Sequence, residues 1–138
     1  MPSRGIRVVL GLDDLAWARR VGQAREDASA GREPGYNLRV DPQESLSLHV
    51  LGCEAEIAAS LVLGVRWPAS VNTFTSEPDL PPDWEVRRRS RTWHDLIVRE
   101  GDPSGRRYLL VIGPQAPGEY WVVGWCTREE AEEFGEWG

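Results

Sequence analysis

Three carboxylates and a guanidinium stand at positions that could assemble one site: Glu56, Asp79 directly after Pro78, and the run Glu85-Val86-Arg87. Alternate residues of a strand share a face, so Glu85 and Arg87 would project together, ~6–7 Å apart, with Trp84, Val86 and Arg88 on the other side. Acids converging from a helix, a turn and a strand form a hard-oxygen set suited to Mg2+ or Mn2+. A cation beside them could hold a phosphate or orient its attacking water. Each residue also has an ordinary reading. Glu56 fits the solvated flank of an amphipathic helix, Asp79 a turn, and Glu85 with Arg87 the polar face of a half-buried strand. The joint occurrence is what singles them out. Arg88, Arg89 and Arg91 continue the basic run, either as a phosphate-binding patch for DNA or as a charged strand edge that discourages further pairing. His49 and His94 are too few and too isolated for a zinc site or a nucleophilic triad, and no Gly-rich phosphate loop or Ser-His-Asp order occurs.

The elements that would carry these residues are legible in part. Ile6 to Leu10 reads as a strand or extended lead-in, and Asp13 as the N-cap of a helix through Leu15, Ala18, Val21 and Ala24. Gly31, Pro34 and Gly35 mark a surface loop between Ser29 and Asn37. The strongest start signal is Asp41, Pro42 and Glu44, predicting a helix to about Leu63 that Gly64 stops. Its apolar stripe is Leu46, Val50, Cys53, Ile57 and Leu61. Beside it lie His49, Gly52, Glu56 and Ala59, small enough in part to let another segment approach.

After Gly64 the hydrophobic period shortens towards 2. Candidate strands are Val71–Thr75, Trp84–Arg89, Asp95–Arg99, Tyr108–Gly113 and Tyr120–Cys126, separated by Pro- and Gly-rich turns in a meander that looks antiparallel. Trp121 and Trp125, four apart, should share a face, where Trp67 and Trp93 could join them as core or as a base-stacking platform. Thr127 and Glu130 form a capping box for a short terminal helix. The expected fold is therefore α+β, α/β-like: N-terminal helices packed on a roughly five-stranded mixed sheet, with a short C-terminal helix, in a single domain over 1–138.

In their order and contexts these pieces resemble the PD-(D/E)XK nuclease superfamily. The matching residues are Pro78-Asp79, Glu85-Val86-Arg87 and the helical Glu56 in Gly52-Cys53-Glu54-Ala55-Glu56-Ile57-Ala58. With Asp95-Leu96-Ile97-Val98-Arg99, Tyr108-Leu109-Leu110-Val111 and Tyr120-Trp121-Val122-Val123-Gly124-Trp125, the stretch from about 45 to 135 is similar to small phage and bacterial proteins of that kind. The resemblance implies catalytic roles for Glu56, Asp79, Glu85 and Arg87, with the three acids as ligands to Mg2+ or Mn2+. The chain departs from the pattern in three places. Five residues alone separate Asp79 from Glu85, which requires a tight hairpin; Ala55 replaces a frequent glycine; and Arg87 stands in place of the lysine. Arginine cannot be deprotonated in a protein, so it can orient water or bind phosphate but cannot act as a general base.

Composition bounds these readings. With 138 residues, 41% hydrophobic and 28% charged, the chain fits one globular domain. Runs such as Tyr108–Ile112 fall short of the ~20 residues of a membrane span, and the cytoplasm, or a host cytoplasm for a phage protein, is the expected location with no membrane partner. Cys53 and Cys126 read as buried thiols. The formal net charge of −6 disfavours a polyanion at long range, and all sixteen cationic residues are arginine. Seven arginines lie between 87 and 107, against five glutamates between 129 and 136. Two functions follow: a DNA-associated, metal-dependent nuclease with a weak or degenerate site, or a non-catalytic interaction protein, such as a phage inhibitor or virion component, that meets a basic protein partner. In the second, Arg87 would pair with Glu85 or another acid of the site and replace the metal.

Overall fold

The computed structural model describes residues 5–30, 41–71, 77–91, 96, 98, 99 and 101–134. The chain runs β1 (Ile6–Val9), α1 (Leu12–Ala30), α2 (Pro42–Leu63), β2 (Trp84–Arg89), β3 (Arg107–Ile112), β4 (Glu119–Thr127) and α3 (Arg128–Phe134). The α+β class is as expected, and among the described residues the sheet has four strands where about five were expected. The expected strand at Val71–Thr75 lies outside the described residues beyond Val71. That at Asp95–Arg99 is described only at Leu96, Val98 and Arg99, which are not in strand.

α2 follows its end signals, whereas α1 departs from its expected cap. The Gly11 carbonyl accepts from Leu15 N at 3.0 Å, so α1 begins before the expected Asp13 cap, and Asp13 and Asp14 fall in its first turn, where carboxylates meet the helix dipole favourably. It then continues past Ala24 to Ala30. Asp41 caps α2 by accepting from Gln43 N at 3.2 Å, and Gly64 ends it in the left-handed conformation at φ 69°, its N–H donating to the Ser60 carbonyl. The one-sided stripe expected for α2 is not what forms. All residues from Cys53 to Ser60 are buried, because α1 and the sheet enclose the middle turns, whereas Leu61 is 56% exposed. By length and hydropathy α2 could cross a bilayer, which a reading confined to unbroken apolar runs overlooks. Here it is the core helix, touching α1 and all four strands.

The sheet order is β1-β4-β3-β2, with β1 and β3 antiparallel to β4 and β2 parallel to β3. The expected meander fails between β2 and β3, because parallel neighbours need a crossover. Residues 90–106 supply it. Trp84, Val86, Leu109, Val111, Tyr120 and Val122 face the helices, and Tyr108, Leu110, Ile112 and Trp121 are buried on the opposite face. A bulge between Leu110 and Val111 sets the two faces of β4. Val111 pairs with Val122 and Leu110 with Gly124, so Val123 is the extra residue and parity inverts across it. Trp121 and Trp125 therefore point to opposite faces rather than sharing one. Trp125, 51% exposed, stacks edge-on with Trp84, while Trp67 meets Trp17 elsewhere, and Trp93 lies outside the described residues.

The close approach between helices occurs at Gly22, not at Gly52, whose Cβ position is open. A Cβ on Gly22 would stand 2.7 Å from Val50 Cγ2 and 2.9 Å from its Cα. Alanine raises helix propensity by about 1 kcal/mol, but overpacking costs about 1–3 kcal/mol, so the clash should prevail. Gly22→Ala is expected to lower the urea midpoint; a raised midpoint would mean that α1 and α2 can separate without loss.

Candidate functional site

Glu56 lies near the middle of α2, 7% exposed, beneath Trp67. Such a carboxylate must be compensated, and three donors do so. Arg25 of α1 forms a bidentate pair with it, Nη1 to Oε2 at 3.0 Å and Nη2 to Oε1 at 2.9 Å, and Trp67 Nε1 donates to Oε1 at 3.0 Å. Arg25 Nε donates at 2.9 Å to the Ser70 carbonyl, which ties the chain after α2 to the same guanidinium. Burial pushes the Glu56 carboxyl above its ordinary value, opposed by the Arg25 bonds and reinforced by nearby Asp79. The pairing holds Arg25 charged against its own desolvation.

Asp79 sits at the edge of the sheet. Leu80 and Trp84 exchange backbone hydrogen bonds at 3.1 and 3.0 Å, closing the tight hairpin that the five-residue gap requires. Asp79 Oδ2 accepts from Val86 N at 2.9 Å on the edge of β2 away from β3. Burial first, and then the neighbouring Glu85 carboxylate, push Asp79 up to about 6, against the opposing Val86 bond.

Glu85 and Arg87 project together as expected, on the face away from α2. Glu85 pairs with Arg106. Arg87 pairs at 3.2 Å with Asp102 in the crossover and lies 5.1 Å from the Tyr108 ring centroid. Asp102 also accepts from Arg99 N at 2.7 Å, and the Tyr108 hydroxyl donates to the Pro103 carbonyl at 2.5 Å. Arg87 therefore pairs with an acid outside the predicted set, Asp102, and not with Glu85 or another of the three predicted acids.

The three predicted acids are neighbours in series and do not surround a common point. Glu56 is on the helix side, Asp79 at the strand edge and Glu85 on the crossover side. The donor set also does not fit a shared Mg2+ or Mn2+. Both oxygens of Glu56 already accept from donors, Glu85 has its own guanidinium, and a dication would have to settle among Arg25, Arg87 and Arg106. Among the described residues no group of three or more His, Cys, Asp or Glu has metal-holding geometry. The arginines expected to form one nucleic-acid patch also divide. Arg88 faces the helices, with Nη1 donating to the Gly113 carbonyl at 2.6 Å, Arg89 faces the crossover side, and Arg91 lies past the end of β2. His49 pairs with Glu26 at 3.3 Å, away from Glu56. His94 lies outside the described residues. Cys53 is a buried thiol as expected, pushed by burial to about 12, whereas Cys126 is only partly buried.

Sequence reading missed Arg25, Trp67, Asp102 and Arg106. Arg25 had a usable signal, since it stands seven after Ala18 and four after Val21, both buried, and so continues the inward face of α1. Comparison with family models, with curated proteins and with solved structures finds no match for the chain.

The Asp79 site sets a pH dependence. Its folded value lies above the ordinary 3.8, so its contribution to stability is fully present below about pH 4 and is lost as pH rises through about 6. Asp79→Asn keeps an acceptor for Val86 N and offers Glu85 a donor at any pH. The variant is expected to melt above wild type at pH 7.5 and to lose that advantage by pH 4.5 in thermal scans across this range. An advantage that does not change with pH would exclude Asp79 as the titrating group.

Proposed function

We propose that this chain is a non-catalytic interaction protein whose acid-rich surface meets a basic protein partner. One observation carries the reading: the bidentate Arg25 guanidinium occupies both oxygens of Glu56, where the nuclease pattern calls for a metal ligand. With Arg106 on Glu85 and Arg87 on Asp102, arginines already supply the positive charge that clustered acids would otherwise draw from a dication. The formal net charge of −6 and the acidic α3 favour a cationic partner over a polyanion.

The second reading is a DNA-associated nuclease of weak activity using Mg2+ or Mn2+. Its support is the adjacency of Asp79 and Glu85, whose mutual repulsion a cation would relieve.

The two readings diverge on metal. In the interaction protein, wild type should show no saturable Mn2+ binding by calorimetry and no Mn2+-dependent cleavage of plasmid DNA. Arg25→Met should lose about 3 kcal/mol by stranding a buried carboxylate, a fall of roughly 10 °C in Tm, and added Mn2+ should recover part of it. Metal-dependent cleavage in wild type that Glu85→Ala abolishes would overturn this proposal in favour of the nuclease.

A further inference from the structure

α1, α2 and the β3–β4 loop form a cleft of about 400 Å³. Its walls are largely apolar, formed by Leu15, Val50, Leu51, Pro114 and Pro117, with Ala16 and Arg19 exposed at its rim. Glu54 lines it, 9% exposed. Its Oε1 accepts from the Tyr120 hydroxyl at 2.8 Å, and burial together with this bond keeps the phenol protonated and donating. Its Oε2 accepts from no described donor, and among the described residues no cation forms an ion pair with Glu54. Arg88, whose charge reaches Tyr120, is held by the Gly113 carbonyl.

This contrasts with five other acids of the fold, although not with Asp79, which is held by a backbone N–H. Glu56, Asp83, Glu85, Asp102 and Glu119 each meet an arginine of the same chain. A carboxylate as buried as Glu54 gains most from a charge-assisted partner, and here the fold supplies one neutral hydroxyl and a largely apolar channel, with Arg19 exposed at the rim and in no ion pair with Glu54 among the described residues. The methylenes of a long cationic side chain match such walls, and its charged head matches the remaining oxygen.

We propose that this cleft receives an arginine or lysine side chain of a basic protein partner, with Glu54 Oε2 accepting from its head group. The inference rests on the interaction-protein reading and locates the contact. It is tested independently of that reading, because metal binding at Asp79 and Glu85 would refute the reading without touching the cleft, and an empty cleft would leave the metal results unchanged.

The probes are N-acetyl-L-arginine amide, N-acetyl-L-lysine amide and N-acetyl-L-citrulline amide, the last a neutral analogue of arginine, titrated into the 15N-labelled chain. Expected are saturable amide shifts at Leu51, Glu54 and Gly118 with one or both cationic probes and none with citrulline amide. Glu54→Gln retains an acceptor for Tyr120 and should bind roughly tenfold more weakly or worse, the change expected from losing one charge-assisted hydrogen bond. Ala16→Phe, at an exposed rim position, should block entry without disturbing the core. Equal shifts with citrulline amide, no saturable shift with either cation, or undiminished affinity in folded Glu54→Gln and Ala16→Phe would each overturn the proposal.

Discussion

The fold depends on a buried carboxylate. Glu56 stands near the middle of the most enclosed helix, where an uncompensated charge would be prohibitive, and Arg25, Trp67 and the Ser70 carbonyl are arranged around that requirement. One guanidinium thereby joins α1, α2 and the segment after α2. A hydrophobic pair of similar volume could stabilise the contact as well or better, so the pair is informative chiefly for what it specifies: the rotation of α1 against α2 and the path of the chain past Trp67. The close contact of Gly22 with Val50 acts in the same direction, since it permits the helices to approach at one register.

From that pair the acids step outward across the sheet, from Glu56 through Asp79 at the edge of β2 away from β3 to Glu85 on the crossover side. Because strand alternation places Glu85 and Val86 on opposite faces, a glutamate on α2 and the acid of the Glu-Val-Arg run cannot share one cavity while Val86 faces the helices. The parallel crossover then brings Asp102 and Arg106 to the outer face, where they complete Arg87 and Glu85. Arginine balances the charge at Glu56, Glu85 and Asp102, while Asp79 between them is held by Val86 N and pushed up by burial and by Glu85.

Local signals proved legible and non-local ones did not. Asp41, Pro42 and Gly64 mark α2 to the residue, and the Thr127 and Glu130 capping box forms with reciprocal bonds of 3.1 and 3.0 Å. The Pro-Asp turn and the shared face of Glu85 and Arg87 were likewise readable, being consequences of turn chemistry and strand period. The parallel pairing of β2 with β3 was not, because prolines and glycines announce a turn without saying which strand the chain returns to. Nor was the bulge at Val123, a single-residue event that inverts the faces of Trp121 and Trp125. The compensating arginines were hidden for a related reason. An ion pair between residues 31 apart leaves no spacing signature, and Arg25 betrays itself only as a cation in an apolar register.

Neutralisation of Glu56 by the Arg25 guanidinium is tested most directly by the Arg25 side-chain Nε–Hε resonance in a 15N-labelled sample, recorded with and without millimolar Mg2+. A guanidinium held between Glu56 and Ser70 should give a resolved, slowly exchanging signal whose position does not change when Mg2+ is added. A signal lost to rapid exchange, or one displaced by Mg2+ as Glu56 turns to the metal, would contradict the account.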